Sequence, residues 1–388
     1  MYWFFWVSLF IVFYTYIGYG IVLYGLVKLK SLVVKSVNRE DGSFTPSLTL
    51  IVAAYNEETV IEEKIRNTLA LHYPEDKFKM IFVTDGSTDA TAAIISKYPQ
   101  IQLLHKDERS GKITAVHRAM LQVQTEIAVF TDANTFLNKE ALLRIAKHYA
   151  DPKVGAVSGE KRVHIESASD ATAGEGFYWK YESKLKKWDA DLHSVVGAAG
   201  ELFSVRTNLY ESVEPDTLLD DFMISMKIAI KGYKIAYDPY AYAVEASSEN
   251  LKEEYKRKVR IAAGSIQSLV RAKKLINPFF DAVLFFQYIS HCVLRWIITP
   301  FLIIVFFISN ITIVVYSPAT IFQLFLFLQT FFYTIAIAGW VFKKKKMRVK
   351  ILFIPYYFCF MNFCMIAGIY RYLFTQKASV LWDKAKRK

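Results

Sequence analysis

Asp132 and Asn134 stand two residues apart, just past the apolar run Ile127–Phe130 and Thr131. A carboxylate at the C-terminal end of a parallel strand points into the crevice where open α/β sheets bind ligands. Both side chains offer hard oxygen donors, suited to Mg²⁺ or Mn²⁺ held between protein and a phosphate. A turn or a helix cap is the competing use of such a pair. Asp85-Gly-Ser-Thr-Asp89 likewise closes a strand and opens a helix. Gly86 permits a tight turn, Ser87 or Asp89 can cap, and Asp85 can accept hydrogen bonds from a base or ribose; otherwise the segment is a plain βα turn. Arg109-Ser-Gly-Lys112 sets cations near a helix start, facing either a phosphate or solvent, without the glycine spacing of a Walker loop. Asp220 and Asp221 lie side by side amid apolar residues. Adjacent helical positions face different ways, so one acid can serve as a base while the other caps or pairs. Arg257 and Arg260 share a helical face and can clamp a diphosphate or meet anionic lipid.

The elements that would position these groups alternate. Leu48–Ala54, Met80–Val83, Ile101–Leu104 and Glu126–Thr131 read as buried strands. Between them, Val60, Ile61, Ile65 and Leu69 give one helix an apolar side, and Asn56 is placed to cap it. Ala92 to Ile95 belong to a second helix, and a third begins at Ser110. Strands alternating with helices over short connections imply a doubly wound, mostly parallel α/β sheet, with the polar strand ends on one ligand-binding edge.

Apolar segments flank this block. The 388 residues are 53% hydrophobic and 16% aromatic, with a mean hydropathy of +0.21. Tyr2–Val27 carries no charge and is long enough to cross a bilayer. Without a basic leader or a small-residue cleavage site, it reads as a permanent anchor rather than a cleaved signal. Ile297–Val315, Ile321–Phe342 and Ile351–Tyr370 are further spans, whereas Phe279–Leu294, with Asp281, Gln287 and His291, reads as an interfacial helix. The expected division is therefore an anchor over 1–28, a linker over 29–45, a globular domain over 46–277, an interfacial helix over 278–295, spans over 296–374 and a basic tail over 375–388. Lys28, Lys30, Lys35 and Arg39 on one flank, and Lys252 to Arg260 on the other, place the globular part in the cytoplasm, in a multi-pass protein of the cell membrane. Lys343–Lys346 and Arg348 favour the same side; the basic tail conflicts with a single crossing after them. The net charge of +12 sits largely beside membrane segments, where anionic lipid explains it better than nucleic acid does. Cys292, Cys359 and Cys364 all fall in apolar segments, which excludes a disulfide framework in the globular part.

Taken in order, Ala54-Tyr-Asn-Glu-Glu58, Asp85-Gly-Ser-Thr-Asp89, Gly111-Lys112, Thr131-Asp-Ala-Asn134, Gly197-Ala-Ala-Gly-Glu201, Asp220-Asp221 and Arg257-Lys-Val-Arg260 resemble the processive-type family 2 glycosyltransferases. These are membrane enzymes of the GT-A fold, related to synthases of cellulose, hyaluronan and poly-N-acetylglucosamine. The resemblance covers roughly residues 46 to 300. It implies a UDP-sugar donor, a glycan or lipid-linked acceptor, and a divalent metal. Ala54, Tyr55, Glu57 and Asp85 would line the uridine pocket, and Lys112 would approach the nucleotide. Asp132 and Asn134 would take the place of the DxD motif on metal and UDP. Asp221, preceded by Asp220, would match the general base of the TED motif. Gly200 and Glu201 would meet the acceptor, and Arg257 and Arg260 would cover the donor diphosphate. The chain departs from the family at Asn134, which carries no charge, and at Arg257–Ile261, where the glutamine and tryptophan of QxxRW are missing. Single-sugar transfer to a polyprenyl phosphate and a non-catalytic scaffold are the alternatives, and partner subunits are not specified.

Overall fold

The computed structural model describes residues 1–33, 44–164, 173–246, 251–344 and 350–374. Lys35, Arg39, Lys345, Lys346, Arg348 and the basic tail lie outside the described residues. The described residues divide into two compact units, one of residues 30–33, 44–164 and 186–246, the other of residues 1–29, 173–185, 251–344 and 350–374.

The first unit is built on one mixed sheet. Its strands are β1 (Leu48–Ala54), β2 (Phe78–Asp85), β3 (Gln102–Lys106), β4 (Ile127–Asp132), β5 (Thr135–Leu137), β6 (Val154–His164), β7 (Phe203–Arg206) and β8 (Lys234–Ala246). They run in the order β3-β2-β1-β4-β7-β6-β8-β5. The β3-β2-β1-β4 half is parallel, as the alternation of strands and helices requires. From β4 onward the ladders become antiparallel at β7 and mixed beyond it. β1 is buried along its whole length, as expected of a central strand covered on both faces. Leu48, Leu50 and Val52 pack in one core cluster with Ile61 and Ile65 of the Ile61–Leu69 helix. Burying each such side chain contributes about 1.5–3 kcal/mol. In register, Ala53 pairs with Asp132 and Ala54 with Thr84, so the polar strand ends meet on one edge.

One local expectation fails. Asn56 does not cap the Ile61–Leu69 helix, whose N-cap is Val60. Asn56 adopts a left-handed φ of 50°, and its side-chain oxygen accepts the Thr88 N–H at 2.8 Å. The turn after β1 is thus tied to the turn after β2. Asp89 stands one residue before Ala90, the N-cap of the Thr91–Ile95 helix, and accepts the Thr91 N–H at 3.0 Å and the Thr91 hydroxyl at 2.5 Å. Against the opposing effect of burial, these bonds hold its carboxyl below the usual range.

The second unit is helical. Four described helices are long and apolar enough to cross a bilayer: Tyr2–Val33, Ala282–Tyr316, Thr320–Lys343 and Leu352–Phe374. Trp3, Phe10, Ile308, Phe327 and Leu373 are exposed on them, as lipid-facing residues would be. The segment 279–294 is not a separate interfacial helix. It runs from Ala282 without a break into Ile297–Val315 as one 35-residue helix, capped by Asp281. Of the polar residues that suggested an interface, Asp281 caps the helix and His291 is paired within the unit. Glu182 accepts from Arg295 at 2.8 Å and pairs with His291 at 3.0 Å. Residues 251–277 also group with this unit instead of with the sheet. The Leu251–Arg271 helix packs along Lys350–Phe374 at Gly368, where a Cβ would lie 2.3 Å from that of Ala262. Small residues permit such close helix approach.

Leu50→Ala should destabilise the sheet unit by about 2–5 kcal/mol. Thermal unfolding in detergent should show a lower midpoint for it, and no change for Leu121→Ala, whose side chain is exposed.

Candidate active site

The C-terminal edge of β1, β2 and β4 carries two adjoining hollows. Ala54, Tyr55, Asp85, Arg109 and Gly111 line the first, and Phe130, Asp132, Gly200, Phe203 and Asp220 line the second. Ala53 and Lys112 border both.

In the first hollow, Asp85 ends β2 and is almost wholly buried. Its Oδ2 accepts the Ser110 N–H at 2.7 Å and the Gly111 N–H at 2.6 Å. Gly111, with φ at 97°, is the N-cap of the Lys112–Met120 helix, so Asp85 sets where that helix begins. Its Oδ1 is buried without a hydrogen-bond partner, and the Arg118 guanidinium stands 3.8 Å away. A buried acceptor left open in a pocket is suited to a ligand donor. Tyr55, just past β1, lies under the Arg109 guanidinium at 4.0 Å from its ring centre. Glu57 is buried, and its N–H donates to the Thr91 hydroxyl at 2.8 Å.

Lys112 joins the two hollows. Its ammonium is 2.8 Å from Asp132 Oδ1 and 3.4 Å from Asp220 Oδ2. Burial opposes its charge, but the two carboxylates outweigh burial and raise its pKa. Asp220 and Asp221 open the Asp220–Ile230 helix. Burial first, and Asp220 second, push the Asp221 carboxyl up to about 7, against the pull of Lys112. The loop before β7 is pressed against this acid. A Cβ at Gly200 would lie 2.8 Å from Asp221 Oδ2, and one at Gly197, where φ is 87°, would strike the Phe222 ring at 2.3 Å. Hydrogen bonds from the Ala198 N–H to Ser225 and from the Ala199 N–H to Ser158 hold the loop there. Glu201 is engaged: its carboxylate takes a hydrogen bond from Lys161, which also donates to buried Glu245.

Asn134 sits in the turn between β4 and β5, half-buried. Among the described residues, no group of three or more His, Cys, Asp or Glu side chains is placed to hold a metal. Asp132 and Asn134 bring one carboxylate and one amide oxygen to this turn. Arg257 and Arg260 lie on the Leu251–Arg271 helix, in the helical unit.

Lys64 was not apparent from the motifs. It follows Ile61 by three positions, on the buried stripe of its helix, and is wholly buried. Its ammonium donates to the Thr135 carbonyl at 2.6 Å and to the Thr131 hydroxyl at 3.2 Å. Burial lowers its pKa to about 7, opposed by Asp132. The available signal was a lysine standing where an amphipathic helix calls for an apolar residue.

Fold and site together define a mixed α/β domain with polar strand ends on one edge, in a chain that also has four described helices long and apolar enough to cross a bilayer. Residues 49–213 match the family described as Glycosyl transferase family 2. The chain is 28% identical over 235 residues to the poly-beta-1,6-N-acetyl-D-glucosamine synthase of Staphylococcus aureus (strain COL), covering 58% of this chain and 56% of that protein. It is 26% identical over 267 residues to the Staphylococcus epidermidis synthase, covering 65% of this chain and 62% of that one. The match thus spans little more than half the length of these relatives. A mannosyltransferase from Pyrobaculum calidifontis, solved in complex with GDP-Man and Mn²⁺, shares the fold with a TM-score of 0.71 at 22% identity, covering 96% of this chain and 99% of that one. The chain carries a glycosyltransferase family 2 domain of the GT-A fold and is homologous to poly-β-1,6-N-acetylglucosamine synthase.

Asp85→Ala should leave the Ser110 and Gly111 N–H groups without their acceptor. A buried donor stranded in this way costs about 1–3 kcal/mol. The thermal midpoint should fall, and Asp85→Asn, which keeps an acceptor oxygen, should recover part of the loss.

Proposed function

We propose that the chain is an inverting membrane glycosyltransferase that moves a sugar from a UDP-sugar to a glycan or lipid-linked acceptor at the cytoplasmic face, with Asp221 as general base. The observation that carries this is the Asp221 carboxyl. It sits against Gly200 with its pKa raised to about 7, next to the cluster of Lys112, Asp132 and Asp220. A base poised near the working pH, beside groups that can meet a diphosphate, is what sugar transfer needs.

The acceptor hydroxyl attacks the anomeric carbon from the face opposite the leaving group, and configuration inverts. The new bond is oxygen to anomeric carbon, and the anomeric carbon–oxygen bond to UDP breaks with its electron pair on the diphosphate. Asp221 takes the hydroxyl proton, a role typically worth about 10²–10⁴-fold in rate. The Lys112 ammonium offsets charge gathering on the diphosphate. Tyr55 and the open oxygen of Asp85 supply contacts for the nucleoside. Asp132 and Asn134 suit a Mg²⁺ or Mn²⁺ ion, because such ions commonly take one or two protein oxygens and complete their shell with phosphate and water. When bound, the ion supplies positive charge to the diphosphate. The homology to a polysaccharide synthase favours a growing glycan as acceptor.

Asp221→Asn should abolish sugar transfer while UDP binding survives; near-normal turnover would remove Asp221 as the base. The wild-type rate should climb as pH rises through about 7, as Asp221 loses its proton. Stability runs the other way. A carboxyl whose folded pKa is raised contributes stability below its unfolded value, and loses it as pH rises through the folded one. Asp221→Asn should therefore unfold at a higher temperature than wild type at pH 8, with the gap closing toward pH 4.

A further inference from the structure

A buried lysine is costly to keep, because desolvation of its charge is seldom recovered in full. Lys64 has no solvent exposure at all. Its two hydrogen-bond partners, Thr131 and Thr135, bracket Asp132 and Asn134 on either side. The bonds go further. The Thr131 and Thr135 hydroxyls are 2.9 Å apart. Thr135 donates to the Asp132 carbonyl at 3.0 Å, and Thr131 donates to the Glu201 carbonyl at 2.9 Å. The two hydroxyls bring one proton each to these three contacts, whereas an amine bonded through its N–H groups adds donors and takes none. Glu201 directly follows Gly200, the residue whose missing side chain makes room for Asp221. One buried side chain is thus bonded, directly or through one hydroxyl, to the turn bearing Asp132 and Asn134 and to the loop facing Asp221.

We propose that Lys64 is a positioning residue that sets the Asp132–Asn134 turn and the Gly200–Glu201 loop relative to each other, acting through the Thr131 hydroxyl. The proposal rests on the donor and base assignments made above. Lys64 touches neither donor nor acceptor; it aligns the side that holds the diphosphate with the side that removes the proton. Because the bonds use N–H donors, they persist whether or not the amine is charged.

The test is a double-mutant cycle on the full chain in detergent, with Lys64→Met, Thr131→Val and the double variant. Thermal midpoint, UDP affinity in the presence of Mn²⁺, and kcat and KM for UDP release are read for each. Each single variant is expected to lower kcat about tenfold or more, and the double variant to fall no further than the worse single. The Lys64→Met midpoint is expected to stay level or rise, because a buried amine has been replaced by an apolar chain of similar length. Unchanged kcat in Lys64→Met, or losses that multiply in the double variant, overturn the proposal. A lowered midpoint with kcat per folded molecule intact also overturns it, since that is what a purely structural residue would show. Should Lys64→Met not fold, Thr131→Val alone decides: normal kcat overturns the proposal, and a tenfold loss at unaltered midpoint supports it. If the unmodified chain neither binds UDP nor releases it from a sugar donor, the function proposed above fails. If the unmodified chain does both and Lys64→Met matches it, only the role of Lys64 fails.

Discussion

The Lys112 ammonium lies between Asp132 and Asp220, and three parts of the sheet unit meet through it. Asp132 ends β4, Asp220 opens the helix that carries Asp221, and Lys112 begins a helix whose start is set by Asp85 at the end of β2. Without the cation, two carboxylates would face each other in a partly buried cleft, and like charges at such range strongly disfavour joint ionisation. With it, the acids can converge.

Convergence has a steric side as well. Gly197 and Gly200 let the loop before β7 close on Phe222 and Asp221 to distances that a Cβ would forbid. The resulting burial, more than any neighbouring charge, raises the Asp221 carboxyl. Packing and proton affinity are therefore one property here. A methyl group at residue 200 would crowd the acid and make it shift.

The helical unit solves a related problem differently. Several of its polar groups lie on helices that are otherwise apolar and meet one another in pairs. Glu182 holds His291 and Arg295, Tyr16 donates to Asn362, and Thr299 donates to Thr15. Internal satisfaction is what a segment in lipid requires. It also explains why residues 279–294 continue into a long helix. Their polarity had suggested a water interface, but Asp281 bonds the helix's own first turn and His291 meets Glu182 of the same unit.

Much of the sheet unit was legible in the amino-acid order. β1 matched its expected bounds, and β2, β3 and β4 differed by a residue or two, because buried parallel strands are short apolar runs closed by polar turns. Asp85, Lys112, Asp132, Asp220 and Asp221 were marked by polar chemistry at strand or helix ends, where a residue's type and its place already suggest a use. The antiparallel turn of the sheet at β7, the true role of Asn56, the grip of Lys161 on Glu201 and the place of Lys64 were not. Each depends on residues far apart in the chain, such as Lys64 with Thr131 and Thr135. Sequence alone determined which elements form and which side chains stand at their ends, since periodicity and turn chemistry are local. Only the tertiary structure decided which of those ends meet, how deeply each acid is buried and which cation faces it, because desolvation and charge pairing exist only between segments that folding brings together.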